Sequence, residues 1–176
     1  MSALKVLFVV APTGFRDEEL FDSQKALEEK GIQTVVASLL KGTARGKLGG
    51  STPVNFSVGE ANASGFDAVA FVGGPGVEEH RLYENNDVLA LARAFSNAGK
   101  TVAAICIAPR ILAAAGLVKG KKVTAFPDSE TIQMLEKAGA IFSRAEVEAD
   151  GKTITANGPA AARSFGKKIA ETLTSA

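Results

Sequence analysis

Cysteine, histidine and surplus charge are all scarce in this 176-residue chain: it holds one Cys and one His, and its 20 basic and 19 acidic residues leave a formal net charge of +1. A single cysteine excludes an internal disulfide and suits a reducing compartment. One cysteine and one histidine, His80, cannot furnish a structural zinc site. The balanced charge favours neither nucleic acid nor an anionic membrane as a partner. Long apolar runs are missing too. The N-terminal stretch "MSALKVLFVVAPTG" breaks at Pro12 and Gly14, too soon for a membrane span. Lys5 directly abuts its strand-like part, which is not the layout of a signal peptide. No internal repeat, charge block or low-complexity tract stands out. The expectation is a cytoplasmic chain forming one domain over residues 1–176, able to bury a core without disulfide or metal. No cofactor or metal is expected.

The apolar residues that are present fall into alternating strand and helix patterns. "KVLFVV" (5–10) is continuous, apolar and rich in β-branched residues, as a strand buried on both faces should be. A helix follows in "EELFDSQKALEEKG", with Leu20, Phe21 and Leu27 at helical spacing and Gly31 as a stop. "IQTVVASLL" is a second strand. The Gly-rich "GTARGKLGGSTPVNFSV" reads as a loop or small hairpin. "FDAVAFVGGPG" is a third strand, and "NNDVLALARAFSNAGK" a helix capped by Asn86 or Asp87 and closed by Gly99. "TVAAIC" is a fourth strand and "APRILAAAG" its helix. "KKVTAFP" is a fifth strand, followed by a helix in "DSETIQMLEKAGA" that Ser129 and Glu130 open as a partial capping box. "AEVEADGKTITA" turns as a hairpin at Asp150-Gly151, and "PAAARSFGKKIAETLTS" is a terminal helix. The alternation predicts an α/β fold: a mostly parallel sheet with helices on both faces. Ligands of such sheets bind beyond the carboxyl ends of the strands.

Three strand ends carry chemistry-bearing residues. Cys106 sits between a buried strand and a helix, on a turn that thrusts its side chain outward, with small neighbours in Ala104 and Ala108. This is the mechanical logic of a nucleophile elbow, without the serine-hydrolase signature. A helix N-terminus beside a thiol favours the thiolate, and Pro109 suits a first helical turn. A buried cysteine acting as a small hydrophobe accounts for the residue as well, so both readings stand. In "GFRDEEL", Asp17, Glu18 and Glu19 suit a helix start through the macrodipole alone. A functional role needs one of them to turn inward, and periodicity does not say which. In "FVGGPGVEEH", Gly73 and Gly74 allow close backbone approach, and the Gly74 N–H can pair with that of Ile107 as an oxyanion hole, whereas Pro75 has no N–H. The stretch is neither a phosphate loop nor a dinucleotide fingerprint. His80, in the same loop, reads as a solvated surface residue.

Taken together and in order, these stretches resemble the ThiJ/PfpI superfamily, over about residues 4 to 172. "KVLFVVAPTGFRDEEL" is similar to its first strand and acidic helix start, "FDAVAFVGGPG" to its Gly-Gly turn, and "VAAICIAPRILAAAGLVKGKKVTAFP" to its cysteine elbow. "ITANGPAAARSFGKKIAETL" is similar to the last helix of the branch that contains the parkinsonism-associated protein deglycase. The resemblance implies a flavodoxin-like, class I glutamine amidotransferase-like fold and a homodimer. It implies Cys106 as nucleophile, Glu19 as the glutamate hydrogen-bonded to it, and Gly74 and Ile107 as oxyanion donors. Gly73, Arg16, Phe126 and Pro127 are the expected pocket walls. Two departures stand out. Ile107 replaces the histidine that follows the cysteine in peptidase-like members, and Phe126 replaces a histidine found before the proline of the next strand in the deglycase branch.

Without either histidine, peptide hydrolysis lacks its usual acid and base. Thiolate addition to an aldehyde requires no leaving amine. The resemblance therefore implies a glyoxalase or deglycase acting on 2-oxoaldehydes such as methylglyoxal and glyoxal, or on their adducts. The alternative is a redox-sensing or stress-protective protein whose exposed thiolate oxidises to a sulfinate. An intracellular cysteine peptidase is the weakest of the three.

Overall fold

The strand β1 (Lys5–Val9) explains the layout of the whole sheet. Its side chains alternate between two packed faces, which is why its sequence is apolar throughout. Val6 and Phe8 join a cluster with Leu20, Leu27, Phe165 and Ile169, while Leu7 and Val9 join one with Phe95, Ile111, Leu112 and Leu135. Each fully buried Phe or Leu adds roughly 1.5–3 kcal/mol of transfer free energy. The computed structural model describes residues 2–175.

From β1 the chain forms β2 (Thr13–Phe15), α1 (Asp17–Glu28), β3 (Gln33–Ser38), β4 (Gly42–Gly46), β5 (Ser51–Val54) and β6 (Phe56–Ser57). Next come β7 (Ala68–Phe71), α2 (Gly76–Glu79), α3 (Asn86–Asn97), β8 (Thr101–Ile105) and α4 (Pro109–Ala114). The last third holds β9 (Lys122–Val123), α5 (Ser129–Lys137), β10 (Ile141–Phe142), β11 (Val147–Asp150), β12 (Thr153–Ala156) and α6 (Ala162–Thr174). The central sheet runs β11-β12-β8-β7-β1-β3-β6, with only the β11–β12 pair antiparallel. Helices α1 and α6 cover one face, and α3, α4 and α5 the other. The predicted α/β architecture is the observed one.

After β1 the chain first adds β3 on one side, then returns to place β7 on the other. The strand order thus reverses between β1 and β7, where open α/β sheets leave a crevice at the carboxyl ends. With β8 beside β7, the three strand ends singled out in the sequence become spatial neighbours.

Three local expectations are corrected. The strand predicted in "KKVTAFP" shrinks to β9, which pairs with β10 and not with the central sheet. β12 already occupies the edge of β8, and the backbone after β9 turns elsewhere. The Thr124 amide donates to Thr155 Oγ1 (2.9 Å), and that of Phe126 to the Cys106 carbonyl (2.8 Å). The Gly-rich stretch, read as a loop or small hairpin, is the hairpin β4–β5 as read, extended by β2 into a small sheet. The cap of α3 is Asn85, whose side chain accepts from the amides of Asp87 and Val88. The cap of α5 is Asp128, which accepts from Thr131. In both, a short polar side chain one residue earlier has the extended backbone a cap requires. No helix among the described residues is long and apolar enough to cross a membrane.

Candidate functional site

The sheet delivers Cys106 at the end of β8 in a conformation that side chains resist: its φ is +65°, which costs a non-glycine residue on the order of 1–3 kcal/mol. Hydrogen bonds on both sides of the peptide hold it there. Its amide donates to the Ala156 carbonyl (2.9 Å) and its carbonyl accepts from the Phe126 amide (2.8 Å). The turn then enters α4 at Pro109, after the buried Ala108.

The three acids at the start of α1 have three separate partners. Asp17 reaches across to the β4–β5 loop, accepting from the amides of Leu48 (2.8 Å) and Gly50 (2.7 Å). Glu18 accepts twice from Arg16, at 2.8 and 3.2 Å, which holds its carboxyl below the usual range. Glu19 alone turns inward. It is fully buried, and its Oε2 accepts from the Gly73 amide at 2.7 Å. The Gly73 carbonyl in turn accepts from the Arg16 amide (3.0 Å). A Cβ on Gly73 would lie 2.6 Å from both Cys106 Cβ and Glu19 Oε2, so only glycine lets the thiol and the carboxyl meet there. A Cβ on Gly74, whose φ is +101°, would crowd the backbone of Gly14 and Phe15 just as closely.

Glu19 and Cys106 therefore form a buried pair. Burial lifts the Glu19 carboxyl from its ordinary 4.5 to about 7, against the opposing pull of the Cys106 and Gly73 hydrogen bonds and the Arg16 charge. Burial also raises the Cys106 thiol, and the neighbouring Glu19 carboxylate raises it further, while the adjacent amides of Gly74 and Ile107 act the other way. The expectation of an exposed thiolate with a depressed pKa is not met. Cys106 is only 8% exposed, and desolvation outweighs two amide donors when the adjacent acid is charged. Near neutrality the Glu19 carboxyl is close to half-protonated, and ionising the thiol requires that its proton pass to Glu19. With that proton on Glu19, the repulsion disappears and the carboxyl becomes a donor toward sulfur. Glu19 Oε1 has no partner with hydrogen-bond geometry among the described residues. A buried oxygen without a protein partner suits the neutral, protonated form of the carboxyl better than the charged one.

The structure brings Cys106, Glu19, Gly73, Gly74 and Ile107 together. Arg16 stands at the rim, paired with Glu18, its charge felt by both Glu19 and Cys106. Phe126 enters through its amide. Its ring is 45% exposed and lies beside Gly158. Pro127 is exposed past it. His80 is half-buried and shares a 2.7 Å hydrogen bond with Thr13 Oγ1. Among the described residues no group of three potential ligands could hold a metal ion.

One residue escaped the sequence reading. Arg110, the only charged residue between Lys100 and Lys119, is 4% exposed and sits in the first turn after the elbow. Its signal was a lone charge inside an otherwise apolar helix.

Comparison with known proteins follows the same lines. The sequence profile of the DJ-1/PfpI family matches residues 4–172. An uncharacterised protein of Methanocaldococcus jannaschii is 42% identical over 169 residues, covering 96% of this chain and 82% of that one. A protein of Pyrococcus horikoshii named a deglycase is 36% identical, covering 89% of this chain and 92% of its own. The crystal structure of a ThiJ/PfpI domain protein from Brachyspira murdochii superposes with a TM-score of 0.94 at 34% identity, over 99% of both chains.

Proposed function

The chain belongs to the DJ-1/PfpI family, and we propose that it is a cysteine-dependent glyoxalase or deglycase acting on small 2-oxoaldehydes such as methylglyoxal and glyoxal, or on their adducts. The carrying observation is the pairing of the single thiol, on a strained elbow, with a buried carboxyl held near neutral pKa. Relatives named deglycases, among them the Pyrococcus protein, support the same reading.

The chemistry needs one mobile proton. The sulfur of Cys106, ionised while Glu19 holds that proton, attacks the aldehyde carbon. A C–S bond forms, the carbonyl π pair moves to oxygen, and Glu19 gives its proton to that oxygen, leaving a hemithioacetal. Glu19, now a carboxylate, removes the proton from the same carbon. The electron pair forms a double bond to the adjacent carbon and the ketone π pair moves onto its oxygen, giving an enediolate. That oxygen takes up the hemithioacetal hydroxyl proton, Glu19 returns its proton to the former ketone carbon, and the first carbon becomes the thioester carbonyl. Water then adds its hydroxyl to the acyl carbon and its proton to the departing sulfur, and methylglyoxal leaves as lactate. The amides of Gly74 and Ile107 carry the charge on sulfur before attack and donate to the developing oxyanion afterwards.

Narrow access favours this substrate class. A thiol that is 8% exposed admits a compact carbonyl far more readily than a peptide strand, and Ile107 supplies no proton for an amine leaving group. Lactate formation from methylglyoxal by the purified protein is the test. It should disappear in Cys106→Ala, and turnover that survives the substitution sinks the assignment.

A second reading draws on the orphaned Glu19 Oε1. Oxidation of Cys106 to a sulfinate would place oxygens where a protonated Glu19 can donate to them. Intact-mass measurement after mild peroxide distinguishes this reading: two added oxygens on Cys106 with retained folding support it, and a thiol that stays reduced while methionines oxidise removes it.

A further inference from the structure

The two amides that face the sulfur come from different parts of the chain, and their separation decides how well they hold its charge. Gly74 belongs to the loop after β7, and Ile107 to the turn into α4. Among the described residues, the only ion pair joining these two segments is that between Arg110 and Glu78. Arg110 Nη1 donates to Glu78 Oε2 at 2.5 Å, and the guanidinium stands 5.8 Å from the centre of the Tyr83 ring, whose hydroxyl donates to the same Glu78 oxygen at 2.8 Å.

Each end of this bridge is fixed to one of the donors. On the loop side, the Val77 amide donates to the Gly74 carbonyl and the Glu78 amide to the Pro75 carbonyl, both at 3.1 Å. On the helix side, the Arg110 amide donates to the Ile107 carbonyl, also at 3.1 Å. A third arm reaches the cysteine itself. Arg110 Nη2 donates to Asp128 Oδ1 at 3.2 Å, and Nε donates to Thr131 Oγ1 at 2.7 Å. Asp128 is closed back onto the Phe126 carbonyl (2.9 Å), and the Phe126 amide holds the Cys106 carbonyl (2.8 Å). The Arg110 side chain is 5% exposed, so these bonds are made largely out of water.

We infer that Arg110 is a positioning residue for the elbow. Its rigid fork fastens the Gly74 loop, the Ile107 turn and the Phe126 segment to one another, and thereby fixes the two amide donors around the sulfur of Cys106. It does not touch the reacting atoms. The inference rests on Cys106 being the reacting group but not on the identity of the substrate.

The fork is what matters, because a lysine keeps the charge but cannot serve Thr131, Glu78 and Asp128 together. Alkylation of Cys106 by iodoacetamide reads the donor geometry with no substrate present. In Arg110→Lys the rate at pH 7 should fall about tenfold, less than the roughly hundredfold that a full 1 Å misplacement can cost, and the pH profile should move upward. Glu78→Gln cuts only the loop arm, at a carboxylate that is half exposed, and should give a smaller change of the same sign. Glu130→Gln, 3.7 Å from the guanidinium and 64% exposed, should leave the profile in place. Circular dichroism establishes that each variant is folded. A folded Arg110→Lys with the wild-type rate and profile overturns the inference. Should Arg110→Lys fail to fold, Glu78→Gln decides alone, and an unchanged or faster rate there overturns it equally. Absence of lactate formation from the wild-type protein, with the alkylation profile still shifted in these variants, would refute the proposed function and leave the role of Arg110 intact.

Discussion

The two ends of the central sheet offer opposite environments. At the amino ends, a groove of about 700 Å³ opens between β1, β3 and β6, lined by Lys5, Thr34, Phe56, Asn62 and Phe66 among others. At the carboxyl ends lie Cys106, 8% exposed, and Glu19, not exposed at all. By volume the groove is the more obvious binding place. Yet of its ionisable residues Lys5 is only half-buried and Glu60 pairs with Lys41 at the surface, while the other end holds a carboxyl that burial moves to about 7. The proposed site thus follows desolvated titratable groups and the strand order that gathers them, and not cavity size.

The sharpest break of that comparison is a pair of substitutions. Cys106→Ala should lower lactate formation by about a thousandfold or more, as loss of a nucleophile does. Phe56→Ala, which removes an aromatic wall of the groove that is 39% exposed, should leave the rate within twofold or so. A large loss in Phe56→Ala would move the chemistry to the wrong end of the sheet. Assay of both variants under identical substrate saturation makes the contrast direct.

A second contrast uses two glycines. A Cβ at Gly73 would sit 2.6 Å from Cys106 Cβ and Glu19 Oε2, whereas one at Gly65, beside the groove, meets nothing within 4 Å. Gly73→Ala should cost roughly 1–3 kcal/mol, the range of overpacking, and should separate thiol from carboxyl. Gly65→Ala should be close to neutral. Denaturant unfolding reads both, and a neutral Gly73→Ala would show that the pair tolerates separation.

The pH dependence follows from the same burial. Glu19 has its folded-state pKa raised, from 4.5 to about 7. Its contribution to stability is therefore complete below pH 4.5 and is lost as pH rises through 7, where the buried group must ionise. Relative to Glu19→Gln, the wild-type protein should lose roughly 3 kcal/mol across that window, at about 1.4 kcal/mol per pH unit. Parallel unfolding curves for the two proteins from pH 4 to 8 check the sign. Growing stability of the wild-type protein relative to the variant as pH rises would mean that Glu19 is ionised and satisfied.

Much of this was readable in advance, for physical reasons that differ from residue to residue. Continuous apolar runs gave β1, β7 and β8, and the glycines and proline after them gave the strand ends. Which acid of the 17–19 trio turns inward was not readable. The choice is made by distant backbone: the amides of Leu48 and Gly50 occupy Asp17, Arg16 occupies Glu18, and Gly73 leaves room for Glu19. The shrinkage of the "KKVTAFP" strand depends on β12, which lies later in the chain. The expected acidity of Cys106 failed because a helix start is visible in sequence, whereas desolvation is a property of the packed fold. Arg110 was visible as an anomaly, but its meaning lies in partners, Glu78 and Asp128, that only the fold brings near.

The smallest predicted effect separates two carboxylates that look alike from solvent. Glu60, at the groove, is 49% exposed and pairs with Lys41 at 3.0 Å. Glu78, near the elbow, is 51% exposed and pairs with Arg110. Exposure of the acid alone would rank the two pairs as equal. Their cations differ: Lys41 is 59% exposed and Arg110 5%. Breaking the first pair frees two groups into water, so Lys41→Ala should change stability by no more than about 0.5 kcal/mol and leave Cys106 alkylation unaltered, in low salt or high. Breaking the second leaves a buried guanidinium short of a partner, and the segments it joins carry the donors to the sulfur. Equal responses to Lys41→Ala and Glu78→Gln in the alkylation assay would mean that the cation's burial does not matter, and the contrast between the two ends would lose its electrostatic basis.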